Sequence, residues 1–129
     1  SVVALHTKAQ RLRDLLQPLE RPAVAFSGGV DSAFLLVTCM EVLGADAVLA
    51  LTAISPLVPV AERDRALRLA ADLGARHRLV PFPALQEPGV RANEPDRCYH
   101  CKRALLSLLR NAASEAGYDV LLRGANADD

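Results

Sequence analysis

The chain has 129 residues, of which 51% are hydrophobic but only 4% aromatic, with no Trp. That is room for one domain, whose core must be built from Leu, Val and Ala. Fifteen basic residues offset fifteen acidic ones, which speaks against a general nucleic-acid or anionic-membrane surface. No apolar run reaches the ~20 residues of a membrane span, the N-terminus lacks a signal-peptide pattern, and three cysteines do not suit a disulfide framework. A cytoplasmic α/β unit is expected.

Leu5, Leu12, Leu16 and Leu19 share one helical face, so residues 3–18 read as an amphipathic helix ended near Pro18. A first strand is expected over 23–27 and its helix from about 31 to 43, stopped at Gly44. Ala47 to Ala53 is a continuous apolar run, as for a strand buried on both faces, and Ser55-Pro56 breaks it. Pro59 opens the next helix, in which Ala66, Leu69, Ala70 and Leu73 keep the 3.6-residue period up to Gly74. Arg76 to Val80 is a shorter strand. Residues 81–96 hold four of the eight prolines and no usable periodicity, and a loop of that length is more often functional than idle. Asp96 can cap a last long helix over about 97–116, and Tyr118 to Leu122 is a fourth strand. Strands alternating with helices predict a doubly wound, Rossmann-like parallel sheet.

The most informative stretch is Ser27-Gly28-Gly29-Val30-Asp31-Ser32, between the first strand and its helix. Adjacent glycines let the backbone approach a ligand, and the free N–H groups of a new helix suit phosphate oxygens. Asp31 and Ser32 offer oxygens for capping or for a metal. The loop is neither a Walker A motif nor a G-x-G-x-x-G turn. Ligands of such sheets bind beyond the carboxyl ends of the strands, at the switch point. The polar clusters fall there: Ser27–Ser32, then Thr52 and Ser55, then Gly124–Asp129. Thr52 and Ser55 also read as plain turn hydroxyls before Pro56, and Asp128-Asp129 as a solvated turn.

Arg97-Cys98-Tyr99-His100-Cys101-Lys102 is the second informative stretch. At a helix start Cys98 and Cys101 share a face, and the helix N-terminus with Arg97 and Lys102 favours thiolates. One C-x-x-C supplies two of zinc's four ligands, and His100 points away from both sulfurs. Four readings stay open: a metal site, a redox pair, a substrate- or sulfur-handling site, and two thiols without chemistry. Cys39 lies among apolar residues and reads as core.

Four segments in order carry a resemblance: Ala25–Ser32, Leu51–Pro56, Asn93–Lys102 and Gly124–Asp129. The Ser-Gly-Gly-x-Asp-Ser turn resembles the pyrophosphate loop (PP-loop) of the ATP pyrophosphatases. With Arg-Cys-Tyr-His-Cys-Lys, the whole is similar to the N-terminal half of the LarE family. Those ATP-dependent sacrificial sulfur transferases help make the nickel-pincer nucleotide of lactate racemase. The resemblance implies adenylation of a carboxylate of pyridinium-3,5-biscarboxylate mononucleotide with release of pyrophosphate. Attack by an enzyme cysteine follows, whose C–S bond then breaks; other members are thought to use an iron–sulfur cluster.

It implies ATP bound on Ala25, Ser27, Gly28, Gly29, Val30, Asp31 and Ser32, on Thr52 and Ala53, and on Gly124 and Asn126. Asp31 and Ser32 are the expected catalytic residues. Asp31, Asp128 and Asp129 are the Mg²⁺ candidates, and Arg97 and Lys102 the candidates for holding the substrate's phosphate or carboxylate. The expected partner is a small nucleotide, in a homo-oligomer, with neither nucleic acid nor membrane. The family usually reads Asp-Gly-Thr-Asn where this chain has Arg123-Gly124-Ala125-Asn126. The family's sacrificial cysteine lies in a C-terminal half beyond Asp129, so residues 1–129 are expected to be one PP-loop domain cut after its fourth strand. Competing readings are another ATP pyrophosphatase (tRNA-thiolating or amide-forming) and a non-catalytic nucleotide-binding module.

Overall fold

Apolar runs that do not alternate must be covered on both faces, and the computed structural model covers them so. It describes residues 2–56, 58–82 and 97–124; for 2–6 and 97–102 it gives the helix path but not the side-chain surroundings. Helix α1 spans Val2–Leu16, strand β1 Pro22–Ala25, α2 Val30–Leu43, β2 Leu49–Ile54, α3 Val60–Leu73, β3 Arg76–Pro81, α4 Arg97–Glu115 and β4 Val120–Leu122. The strand order is β3-β2-β1-β4, and each neighbouring pair is parallel. The chain steps from β1 to β2 to β3 in one direction, then returns past β1 to lay β4 on its far side. That reversal puts the switch point at the carboxyl end of β1.

Successive strand residues point to opposite faces, and the two cores divide accordingly. Val24, Phe26, Val48 and Ala50 pack with Leu16 of α1, Leu35, Leu36 and Cys39 of α2, and Ala66 and Ala70 of α3. Ala23, Leu49, Leu51 and Val80 pack on the other face with Leu109 and Ala113 of α4 and with Tyr118. Cys39 is a core residue, and burial pushes its thiol pKa up to about 11. It is therefore inert as a nucleophile at neutral pH.

The doubly wound parallel sheet expected from the sequence is the fold observed, with element ends shifted by a few residues. Ala47 falls in a 3-10 turn, Ala45–Ala47, rather than in β2. Strand β4 starts at Val120 rather than Tyr118, which is tied to the end of α4, while Asp119 leads into the pairing with β1. Tyr118 N donates to Ala113 O (2.9 Å), and Asp119 N donates to Arg21 O (2.8 Å). The Arg21 guanidinium lies 4.5 Å from the centre of the Tyr118 ring. Phe82 prolongs the β2–β3 pairing by donating its N–H to Ile54 O (2.7 Å); the proline-rich segment 83–96 lies outside the described residues.

Leu36 is fully buried between α2 and the sheet, whereas Leu15 is 72% exposed. In the full-length protein Leu36→Ala should destabilise this domain by about 2–5 kcal/mol, read from urea unfolding. Leu15→Ala should stay within about 0.5 kcal/mol.

Candidate nucleotide-binding site

Four residues, 26 to 29, turn β1 into α2, and they do so around two serine hydroxyls. Ser32 Oγ donates to Gly29 O (3.2 Å) and accepts from Ser27 N (3.2 Å), and Ser27 Oγ lies 3.2 Å from it. Ser27 Oγ also accepts from Gly29 N (3.3 Å). Gly28 takes φ +85°, and a Cβ there would meet Ala66 of α3 at 3.4 Å. A non-glycine residue would be strained at that φ, although its Cβ would meet α3 only at ordinary contact distance. The first rung of the α2 ladder is Ala33 N to Gly29 O (3.0 Å). The N–H groups of Val30, Asp31 and Ser32 therefore lie ahead of it, and Gly29 caps them with no side chain. Together with the helix dipole they favour an anion.

The strands on either side close onto this turn. After β4, Gly124 is pressed against the start of α2: a Cβ on it would lie 3.0 Å from Asp31 Cβ and 3.3 Å from the Asp31 carbonyl carbon. On β2, the Thr52 hydroxyl donates to Phe26 O at 2.6 Å and lies 2.7 Å from His77 Nε2 on β3. The Phe26 and His77 rings meet edge to face, with centroids 5.9 Å apart. Burial lowers the pKa of His77.

A cavity of about 440 Å³ opens over these groups. Ala25 to Ser27, Gly29 to Ser32, Leu51 to Ala53, and Arg123 with Gly124 line it from the strand ends. Val58, Glu62 and Arg63 line it from α3 and the turn before it, and Leu105, Leu106 and Leu109 from α4. One wall is thus lined by leucines, while the floor is formed by the β1–α2 turn. Arg63 lies 3.5 Å from its neighbour Asp64, and both side chains are about half exposed (40% and 46%). A pair of that kind is worth ~0–1 kcal/mol, so it leaves the guanidinium able to answer a charge in the cavity.

No family model matches the chain. It is 36% identical, over 128 residues, to the pyridinium-3,5-bisthiocarboxylic acid mononucleotide synthase of Lactiplantibacillus plantarum, covering 99% of this chain and 46% of that protein. Over its whole length the chain is thus homologous to one part of a LarE-type synthase. An uncharacterized protein of Synechocystis is 38% identical over 125 residues, again 97% of this chain and 46% of its relative. The chain thus spans about half the length of the curated relatives it matches.

Solved structures share the fold of this chain. The NH3-dependent NAD synthetase of Campylobacter jejuni superposes with a TM-score of 0.70 at 22% identity, over 89% of this chain and 54% of its own. A tRNA thiolase of Methanococcus maripaludis, solved with its 4Fe-4S cluster, gives 0.73 at 20% identity, over 98% of this chain and 47% of its own. At these identities the likeness is one of fold, the parallel α/β sheet described above.

The structure brings together most of the residues singled out in the sequence. Ala25, Ser27, Gly29, Val30, Asp31, Ser32, Thr52, Ala53 and Gly124 all line one cavity, and Gly28 shapes its floor. Two of them hold positions with a structural task. The Thr52 hydroxyl is spent on Phe26 O, and the Ser32 hydroxyl is turned into the loop it ties together. Ser55 accepts from Val58 N (3.0 Å) in the turn after β2. Asn126, Asp128 and Asp129 lie outside the described residues, as do the side chains of Arg97, Cys98, His100, Cys101 and Lys102; the backbone there begins α4 as expected. Glu62 and Arg63 went unread in the sequence, although a crossover helix that follows a parallel strand starts at the carboxyl end of the sheet. His77 gave no signal beyond being a lone histidine between two arginines.

Ser32→Ala leaves Ser27 N without its acceptor, and Gly124→Ala drives a methyl group into Asp31. Each should lower stability by about 1–3 kcal/mol and weaken Mg·ATP binding, as read by thermal unfolding and calorimetry on the full-length protein.

Proposed function

We propose that this chain is the ATP-binding part of an enzyme that adenylates a carboxylate on a pyridinium mononucleotide and replaces its oxygen with sulfur. The observation that carries the reading is the start of α2. Three N–H groups precede the first rung of the ladder, at the switch point of the sheet, in a chain related over 99% of its length to a synthase of that product class.

On this reading the β- and γ-phosphates of ATP rest on residues 27–32, and the adenine lies along Leu51–Ala53 with Leu105, Leu106 and Leu109 opposite. The α-phosphorus then faces the open side of the cavity. A carboxylate oxygen of the substrate forms a bond to it as the bond to pyrophosphate breaks. Arg63 and Arg123 supply fixed positive charge against the charge that develops on the departing phosphates.

Mg²⁺ ordinarily uses one or two carboxylates together with phosphate oxygens and water. The cavity has two such side chains, Asp31 and Glu62, and no cluster of three ligating side chains occurs among the described residues. That donor set suits an ion that arrives with the nucleotide, and Asp31 and Glu62 would hold it. When bound it offsets phosphate charge. The balanced net charge of the sequence favours a small nucleotide over tRNA as acceptor. No described helix is long and apolar enough to cross a membrane.

The full-length protein should release pyrophosphate from Mg·ATP when given pyridinium-3,5-biscarboxylate mononucleotide. Asp31→Ala should cut that rate on the order of 10²-fold. Release prompted by tRNA, with none from the mononucleotide, would overturn the assignment.

A further inference from the structure

The peptide unit between Phe26 and Ser27 is where the sheet gives way to the phosphate loop, and it is held from both sides. Its N–H donates to Ser32 Oγ at 3.2 Å, and its carbonyl accepts from Thr52 Oγ1 at 2.6 Å. A threonine hydroxyl has one proton, and a carbonyl can only accept, so that proton is committed to Phe26. The 2.7 Å contact between Thr52 Oγ1 and His77 Nε2 then requires the proton on Nε2, with the imidazole as donor. The edge of one ring against the face of the other, at 84° to Phe26, fixes the plane in which that donor points.

One line of hydrogen bonds therefore runs from β3 to the start of α2. It passes from His77 to Thr52, across the Phe26–Ser27 peptide, to Ser32 and on to Gly29 O. A hydroxyl that donates to one fixed atom and accepts from another cannot rotate. Thr52 without His77 keeps an acceptor but loses that lock.

We propose that His77 is a positioning residue for nucleotide binding. By donating from Nε2 to Thr52 it sets the Phe26–Ser27 peptide plane, and through Ser32 it sets the N–H groups that receive the triphosphate. The inference rests on the reading that this loop binds Mg·ATP. His77 itself touches no phosphate; it acts through Thr52.

The test is Mg·ATP affinity by calorimetry on the full-length protein and its variants. His77→Leu and Thr52→Val should each weaken binding by roughly 3- to 10-fold, the worth of one hydrogen bond. His77→Gln, whose amide nitrogen can reach the same oxygen, should stay within about twofold of the parent. The double variant His77→Leu/Thr52→Val should be no weaker than the weaker single one, because both cut the same path. Should His77→Leu fail to fold, Thr52→Val against Thr52→Ser carries the same comparison, with only the hydroxyl-bearing variant binding like the parent. Parent-like affinity in His77→Leu, equal loss in His77→Leu and His77→Gln, or additive losses in the double variant would overturn the positioning role alone. A parent protein that binds no Mg·ATP would overturn both it and the nucleotide reading.

Discussion

The demand that shapes this molecule is that a buried parallel strand must become a helix within four residues while leaving helix N–H groups pointing outward. Helix starts are usually stabilised by a side-chain oxygen that covers those groups. Here Gly29 stands at the cap position, and the turn is braced from below instead. The Ser32 hydroxyl gathers Gly29 O and Ser27 N, so the loop is tied through its inner side. Preorganisation of this kind matters for an anion site, because a loop that must be ordered at the moment of binding spends affinity on its own entropy.

That solution sets requirements elsewhere. The loop lies against Ala66 of α3, and β4 runs on into Gly124 against Asp31. The second contact leaves no room for a side chain at Gly124, and the first turns on the positive φ of Gly28. Close approach of α3 and β4 brings Arg63, Glu62 and Arg123 to the same cavity as the loop. Burial on each face of β1 and β2 then holds the strand ends that carry the site. Function here depends on rigid neighbours more than on any single exposed group.

Much of this was legible in the sequence because local chemistry and global order agreed. Unalternating apolar runs marked strands covered twice, glycines marked helix ends, and the alternation of strand and helix gave the parallel topology. The switch-point rule then placed the Ser27–Ser32, Thr52 and Gly124 segments at one crevice, and one cavity contains them. Side-chain direction was not legible. Thr52 and Ser32 read equally as ligand contacts or as turn and cap hydroxyls; in the structure each is committed to loop or strand backbone, a fact set by which face of the pleat or helix it occupies. His77 was invisible for a related reason: its partner is 25 residues away and is met only through strand register. Gly124 was expected among the ATP-binding positions, and nothing in the sequence signalled its steric constraint, which arises from the packing of β4's end on α2.

The central claim is that the triphosphate lies on the start of α2. Backbone amide NMR of the full-length protein during titration with Mg·ATP tests it most directly. The account expects the largest shifts at Gly28 to Ser32 and at Gly124, with the amides of Ala113 and Tyr118 in the opposite core nearly unmoved. Saturable binding that leaves Gly28 to Ser32 unshifted would contradict it.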